Sequence, residues 1–322
     1  MVTVIDEIMK FEKPINDRIS EVFPEKEPKG LYEASVHTIT GGGKRLRPAI
    51  LLIATEAVGG YWENALNAAV SIELMHTFTL VHDDIIDNDE VRRGRPAVHT
   101  IWGEAGAIIA GDTMYSKSVE IMADCPTEPE IALKATKILT KTCVEVCEGQ
   151  WMDIDFETRE DVSSEEYIEM IKKKTSVLFG ASAQIGALMG GADEKTANAL
   201  YNFGLLTGLG FQINDDVLDL VTPSEKLGKK QGSDIAKGKR TLLMIDALKK
   251  GVKPKAFGKG VLTQEEIDET IVELTKSGSI QYVKELAESY VNQGKAELDI
   301  LPDSKAKTNL LKIADYMLTR DY

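Results

Sequence analysis

Ser71-Ile-Glu-Leu-Met-His-Thr-Phe-Thr-Leu-Val-His-Asp-Asp-Ile-Ile-Asp87 is the stretch on which the fold class turns. Its apolar residues recur at three- and four-residue intervals, the spacing of one helix face, and the run ends in aspartates. The same period runs through residues 4–19, 63–87, 104–123, 129–147, 167–188, 195–220, 265–276 and 280–298. Alternating Val, Ile and Thr runs between turn pairs are almost absent, so no substantial sheet is expected. Turn chemistry falls between the helical stretches, at Pro24–Pro28, Thr40–Gly43, Cys125–Pro129 and Gly251–Gly260. No segment has the composition of a linker. The sequence therefore predicts an all-α chain, a single domain over residues 1–322, built as one large bundle of roughly ten or more helices.

The pattern Asp-Asp-x-x-Asp occurs twice, at Asp83-Asp-Ile-Ile-Asp87 and Asp215-Asp-Val-Leu-Asp219, each time at the end of a long apolar helical pattern. Helix residues four apart lie about 40° apart in azimuth and about 6 Å apart along the axis. Asp83 and Asp87 thus share a stripe with Asp84 beside them, and Asp215, Asp219 and Asp216 repeat the arrangement. Like charges placed this way repel, and partial burial adds to the cost. A hard divalent cation relieves both effects. Oxygen-only donors without His or Cys favour Mg²⁺ or Mn²⁺ over zinc. A solvated acidic face is the plain alternative, but two copies of one spacing on apolar helices argue against it. A calcium loop over residues 83–90 lacks the glycine and glutamate that such loops need.

Positive charge gathers beside these motifs. Gly41-Gly-Gly-Lys-Arg-Leu-Arg-Pro48 leads a glycine turn into a helix start bearing Lys44, Arg45 and Arg47, a favourable oxyanion site. Arg92 and Arg93 follow the first acidic motif. Lys226, Lys229, Lys230, Lys237, Lys239 and Arg240 follow the second. In a chain with 38 Lys and Arg against 52 Asp and Glu, net charge −14, this placement predicts a polyphosphate pocket. Two acidic helix ends are expected to confront each other there and trap a metal-bound diphosphate.

These motifs resemble the trans-isoprenyl diphosphate synthases. The resemblance rests on Gly43-Lys-Arg-Leu-Arg-Pro48, Asp83–Asp87 with Arg92-Arg93, Phe211-Gln-Ile-Asn-Asp-Asp-Val-Leu-Asp219, Gly228-Lys-Lys-Gln-Gly-Ser-Asp234 and Gly238-Lys-Arg-Thr241. It runs in register from about Gly41 to Thr241. It implies the isoprenoid synthase fold, a helical bundle around a central cavity, and a homodimer. It further implies that Asp83, Asp84, Asp87, Asp215, Asp216 and Asp219 ligate Mg²⁺, three ions per active site with substrate bound, or Mn²⁺ in its place. Arg92, Lys174, Lys229 and Lys239 would hold the allylic diphosphate. Lys44, Arg47, His76 and Arg93 would hold the diphosphate of isopentenyl diphosphate. Lys174, Thr175 and Gln212 would be the catalytic set at the reacting end. In Met170-Ile-Lys-Lys-Lys-Thr-Ser176, spacing alone leaves the choice of lysine open. Gln150, in Glu148-Gly-Gln-Trp-Met-Asp153, resembles a further pocket-lining motif.

The implied chemistry needs no protein nucleophile. An allylic diphosphate loses inorganic diphosphate, the double bond of isopentenyl diphosphate attacks the cation, and a proton leaves. The growing tail is expected to extend along the helix of residues 71–87, where Met75, Phe78 and Thr79 would set chain length. An aromatic at the fifth position before Asp83, a small neighbour and no insertion in the acidic motif resemble the archaeal geranylgeranyl type. Geranylgeranyl diphosphate is the expected product, with farnesyl diphosphate as intermediate or co-product. A longer-chain polyprenyl synthase, a terpene cyclase and a non-catalytic regulatory subunit are the alternatives. The second Asp-Asp-x-x-Asp and the Gly43–Pro48 motif disfavour the cyclase, and the retention of six carboxylates disfavours the regulatory subunit.

Composition narrows the remaining classes. Hydrophobic residues make up 43% and charged residues 28%, an ordinary globular balance. The acidic surplus disfavours nucleic acid as a partner. No stretch approaches the roughly 20 apolar residues needed to span a bilayer, so no stable membrane insertion is expected. The first residues lack the basic start and apolar middle of a signal peptide, and a cytoplasmic setting follows. Cys125, Cys143 and Cys147 read as small core residues. His37 reads as structural, and His82 and His99 receive no chemical role. The basic segment 226–240 is expected to act as a flap, and the Arg320–Tyr322 tail reads equally as a cover for the pocket or as a frayed terminus.

Overall fold

A helix apolar on every side belongs in the interior of a protein. Leu46–Ala57 comes close to that: ten of its twelve residues are buried, and only Arg47 and Glu56 reach outward. Leu66–Ile86, also buried over most of its length, packs beside it. The computed structural model that shows this describes residues 3–224 and 230–319.

In chain order the helices are α1 (Val4–Met9), α2 (Glu12–Val22), α3 (Lys29–Thr40), α4 (Leu46–Ala57), α5 (Leu66–Ile86), α6 (Val98–Ala123), α7 (Pro129–Phe156) and α8 (Ser164–Ile171). After a π turn (Lys172–Ser176) come α9 (Val177–Met189), α10 (Glu194–Val221), α11 (Ser233–Lys237), α12 (Leu242–Lys249), α13 (Gln264–Lys276), α14 (Ser279–Glu297) and α15 (Lys305–Thr319). The chain is all-α, as its periodicity predicts. Among the described residues the one sheet is a hairpin, β1 (Val91–Arg92) with antiparallel β2 (Arg95–Pro96). Its two-residue turn, Arg93-Gly94, has positive φ at both positions (54° and 71°), the backbone that a tight hairpin demands.

Two compact units are present. The first comprises residues 1–143, 181–201 and 300–312. Its core is α4 and α5, with α6 packed along α5 and α3 against α6. At Gly103 (φ 73°) α6 kinks, so the regular helix begins at Glu104, where the period predicts it. The second unit comprises residues 144–180, 202–299 and 313–322. Its core gathers Leu209, Ile213, Val217 and Leu220 of α10 with Leu242–Ile245 of α12 and Val283 and Ala287 of α14.

Three expectations change in detail. The stretch 4–19 is two helices, and a Thr3–Asp6 capping box starts the first. The stretch 167–188 is broken by the π turn. Cys125 and Cys143 are buried as expected, but Cys147 is exposed. Burial pushes the Cys125 thiol up to about 12. No helix among the described residues is long and apolar enough to cross a membrane.

Candidate active site

In the first unit the site is built on the end of α3. Gly42 and Gly43 adopt positive φ (92° and 131°), and a Cβ at Gly43 would lie 2.8 Å from the Arg93 guanidinium carbon. The glycine is needed both for its backbone and for this close approach. Arg93 Nη1 donates to the Thr38 carbonyl (3.2 Å) and to that of Gly42. Arg45 Nη2 donates to the Ile39 carbonyl at 2.5 Å, and Arg95 Nη1 to that of His37 at 3.3 Å. Three arginines thus satisfy the carboxyl end of one helix, where cations are favoured. Arg45, Asn88 and Arg93 are the non-glycine residues with positive φ among the described residues. Such strain costs of order 1–3 kcal/mol each and collects at functional sites.

Lys44 is exposed. Arg47, one turn into α4, donates from Nη1 to His76 Nε2 at 3.1 Å. A guanidinium only donates, so Nε2 accepts and the proton of the neutral ring sits on Nδ1. Burial holds His76 well below its ordinary value, and Arg47, Arg93, Arg92 and Arg45 push the same way. His37 bridges α3 and the hairpin: its Nε2 donates to the Pro96 carbonyl at 2.9 Å, and its Nδ1 accepts from Arg95 at 3.2 Å.

The first acidic motif closes α5. Asp84 is buried and accepts at Oδ1 from Arg92, with Nε at 2.8 Å. Burial raises its carboxyl above the usual range, against the pull of Arg92. Its Oδ2 is buried without a hydrogen-bond partner. Asp83 and Asp87 are half-buried. Earlier on α5, Met75 is fully buried, and the Phe78 ring lies 5.3 Å from Tyr115 and 5.6 Å from His82. The Thr79 hydroxyl donates to the His76 carbonyl.

In the second unit, α7, the π turn and α10 carry the groups. A Cβ at Gly149 would overlap the Lys174 backbone, so α7 meets the turn at contact distance. The extra residue of the turn distinguishes the three lysines. Lys172 pairs with Glu169 and Lys173 with Glu148, whereas Lys174 Nζ donates to Asp153 Oδ2 at 2.6 Å. Lys239 stands 3.8 Å from the same oxygen. Burial alone would raise the Asp153 carboxyl; the two lysines outweigh it and hold it below the usual range. Thr175 Oγ1 donates to Gln212 Oε1 (3.2 Å), Gln212 Nε2 to Asp216 Oδ1 (3.1 Å), and the Tyr167 hydroxyl to Asp216 Oδ2 (2.6 Å). Burial and nearby Asp234 drive the Asp216 carboxyl well above its ordinary range, against the hydrogen bonds of Tyr167 and Gln212. Asp219 Oδ2 accepts from the Asp234 backbone N–H at 3.1 Å, and Asp215 is half-buried. The Gln150 amide nitrogen is buried with no hydrogen-bond partner.

Glu73, which accepts from Arg45 Nη1 at 2.5 Å, and Tyr167 are missed by sequence reasoning, and Asp153 and Asp234 enter it only as the ends of quoted motifs, with no role given. Glu73 carried one signal, an acid in the middle of an apolar helix; Tyr167 carried none. Lys226 and Lys229, and the tail Arg320–Tyr322, lie outside the described residues.

Among the described residues, no three His, Cys, Asp or Glu side chains gather closely enough to hold a metal by themselves. Magnesium does not require that. It keeps several waters and binds through one or two carboxylates plus phosphate oxygens. Oxygen-only donors and the unpartnered Asp84 Oδ2 fit such an ion.

A sequence profile described as polyprenyl synthetase matches residues 28–276. The chain is 53% identical over 322 residues to the geranylgeranyl diphosphate synthase of Methanosarcina mazei, covering 100% of this chain and 99% of that one. It is 43% identical to the geranylfarnesyl diphosphate synthase of Natronomonas pharaonis, covering 96% and 95%. The solved geranylgeranyl pyrophosphate synthetase of Geoglobus acetivorans superposes with a TM-score of 0.92 at 44% identity, covering 97% and 99%.

Proposed function

This chain belongs to the polyprenyl synthetase family, and from that premise we propose that it is a magnesium-dependent prenyltransferase. It condenses isopentenyl diphosphate with dimethylallyl, geranyl and farnesyl diphosphates and makes geranylgeranyl diphosphate, with farnesyl diphosphate as intermediate or co-product. One observation carries the reading. Cations a diphosphate needs stand close to the acidic helix ends: Arg92 on Asp84 in the first unit, and in the second Lys174 and Lys239 on Asp153, with Thr175, next to Lys174, joined through Gln212 to Asp216 of the second motif.

The six aspartates at 83, 84, 87, 215, 216 and 219 serve the magnesium ions. Asp84 accepts from Arg92 through Oδ1 and keeps Oδ2 for an ion, while Asp216 and Asp219 are held in place by Tyr167, Gln212 and the Asp234 N–H. When bound, magnesium supplies charge neutralisation at the leaving diphosphate oxygens. Arg92, Lys174, Lys229 and Lys239 hold that leaving group. Lys44, Arg47, His76 and Arg93 seat isopentenyl diphosphate, with neutral His76 accepting from Arg47 so that the guanidinium is aimed rather than repelled. Thr175 and Gln212, joined to each other, present oxygen to the developing cation. The departed diphosphate takes the proton. We further place the enzyme in the cytoplasm, as one domain and as a homodimer.

The test incubates the purified chain with Mg²⁺, isopentenyl diphosphate and each allylic primer in turn, and reads product length after dephosphorylation. A twenty-carbon alcohol as the main product is expected. Asp83→Ala and Asp215→Ala should lower turnover by about 10²–10³-fold or more with the helical circular dichroism retained. Absence of condensation, or a cyclic hydrocarbon product, would overturn the proposal.

A further inference from the structure

The pair formed by Arg45 and Glu73 takes no part in the condensation just described. At the sequence level Arg45 stands with Lys44 and Arg47 as one of three phosphate-facing bases. Its side chain instead points inward and is 2% exposed, with Glu73 at 3%. Arg45 Nη1 donates to Glu73 Oε1 at 2.5 Å. Arg45 Nη2 donates to the Ile39 carbonyl at 2.5 Å and to Asn16 Oδ1 at 3.3 Å. The Nε–H meets no acceptor.

A buried ion pair adds little net stability, because desolvation cancels much of its attraction; what it fixes is geometry. Arg45 is the left-handed residue (φ 47°) that starts α4, flanked by Lys44 and, two residues on, Arg47. Glu73 lies on α5 three residues before His76, on the same face, and His76 accepts from Arg47. Ile39 lies in the last turn of α3, between the Thr38 and Gly42 carbonyls that Arg93 holds. One guanidinium therefore ties together the turn, the helix and the helix end that carry or anchor Lys44, Arg47, His76 and Arg93.

We infer that Arg45 and Glu73 are a positioning pair for the isopentenyl diphosphate subsite. The inference rests on the assignment of that subsite in the preceding section. Neither residue touches substrate. Together they hold four diphosphate-binding groups in register, so their loss falls on one substrate and spares the other.

The experiment measures KM for each substrate, kcat, and calorimetric binding of isopentenyl diphosphate in Glu73→Gln, Arg45→Lys and a control, Glu7→Gln. Glu7 is a buried carboxylate elsewhere in the same unit, held by Asn309 and Lys305. Glu73→Gln should raise the KM and Kd for isopentenyl diphosphate about tenfold, with kcat and the allylic KM within about twofold. Arg45→Lys keeps the charge on Glu73 but not the reach to Ile39, and should fall between. Glu7→Gln should lower Tm and leave both KM values unchanged. Should Glu73→Gln fold poorly, Asn16→Ala deletes one contact to Arg45 and should raise the same KM by a smaller factor. An equal rise in both KM values, or a fall in Tm alone as in Glu7→Gln, would overturn the inference. A wild-type chain that binds isopentenyl diphosphate without condensing it overturns the reaction but not the pair; one that does neither overturns both.

Discussion

At the scale of the residue, His76 shows how neighbours decide chemistry. Its ring sits among arginines, and its Nε2 accepts from Arg47. Burial, reinforced by those cations, holds it well below the ordinary 6.5. An unfolded chain takes up a proton at this position as pH falls through 6.5, while the folded chain does not. The contribution to stability is therefore complete above 6.5 and declines below it. The Tm of the wild type should fall more steeply between 6.5 and about 5 than that of His76→Gln, which cannot titrate. Parallel slopes would show that His76 is protonated in the folded state. Arg45 teaches a related lesson. Its charge and position in Gly43–Pro48 are those of a phosphate ligand, and only the packing turns it towards Glu73.

At the scale of the element, α5 carries Met75, His76 and Phe78 and ends in the acidic motif Asp83–Asp87. Phe78 lies more than a turn before Asp83 and packs its ring against Tyr115 and His82. On the proposed function, a ring at that depth would be the floor that stops a tail growing along the helix. Phe78→Ala should lengthen the products by at least one isoprene unit on reversed-phase chromatography; an unchanged ladder would remove Phe78 from this role. The elements also show what was legible beforehand. The predicted 195–220 and 265–276 are Glu194–Val221 and Gln264–Lys276, because helices with one wet face advertise their period. Leu46–Ala57 has only Arg47, Thr55 and Glu56 as polar residues among its twelve, too few to mark out a wet face by eye, and Ser233–Lys237 is too short to show a period. The hairpin rests on two positive φ angles, one at an arginine, which composition does not reveal.

At the scale of the whole molecule, the site was legible as motifs and not as contacts. Acid and base types at fixed spacing mark Asp83–Asp87, Asp215–Asp219 and the lysines around them. The partners that orient them, Tyr167 on Asp216 and Asp153 on Lys174, come from distant parts of the chain and only the fold unites them. The proposed homodimer belongs to this scale as well. On α7, Val144, Cys147, Trp151 and Ile154 recur at intervals of three, four and three residues and are exposed, Trp151 by 76%. That spacing is the seam by which helices pair. Light scattering should give twice the 35.4 kDa of one chain, and Trp151→Glu should shift the mass towards the monomer. A wild type that scatters as a monomer would refute the pairing.

The surplus residue in the turn Lys172–Ser176 has a practical corollary. Everything after it is rotated by roughly 100° relative to an uninterrupted helix. A chimera spliced inside this turn with a parent lacking the extra residue would present Thr175 and the start of α9 to the wrong neighbours. Crossover points belong upstream of Ile171 or downstream of Val177, and an alignment gap placed between them carries a phase as well as a length.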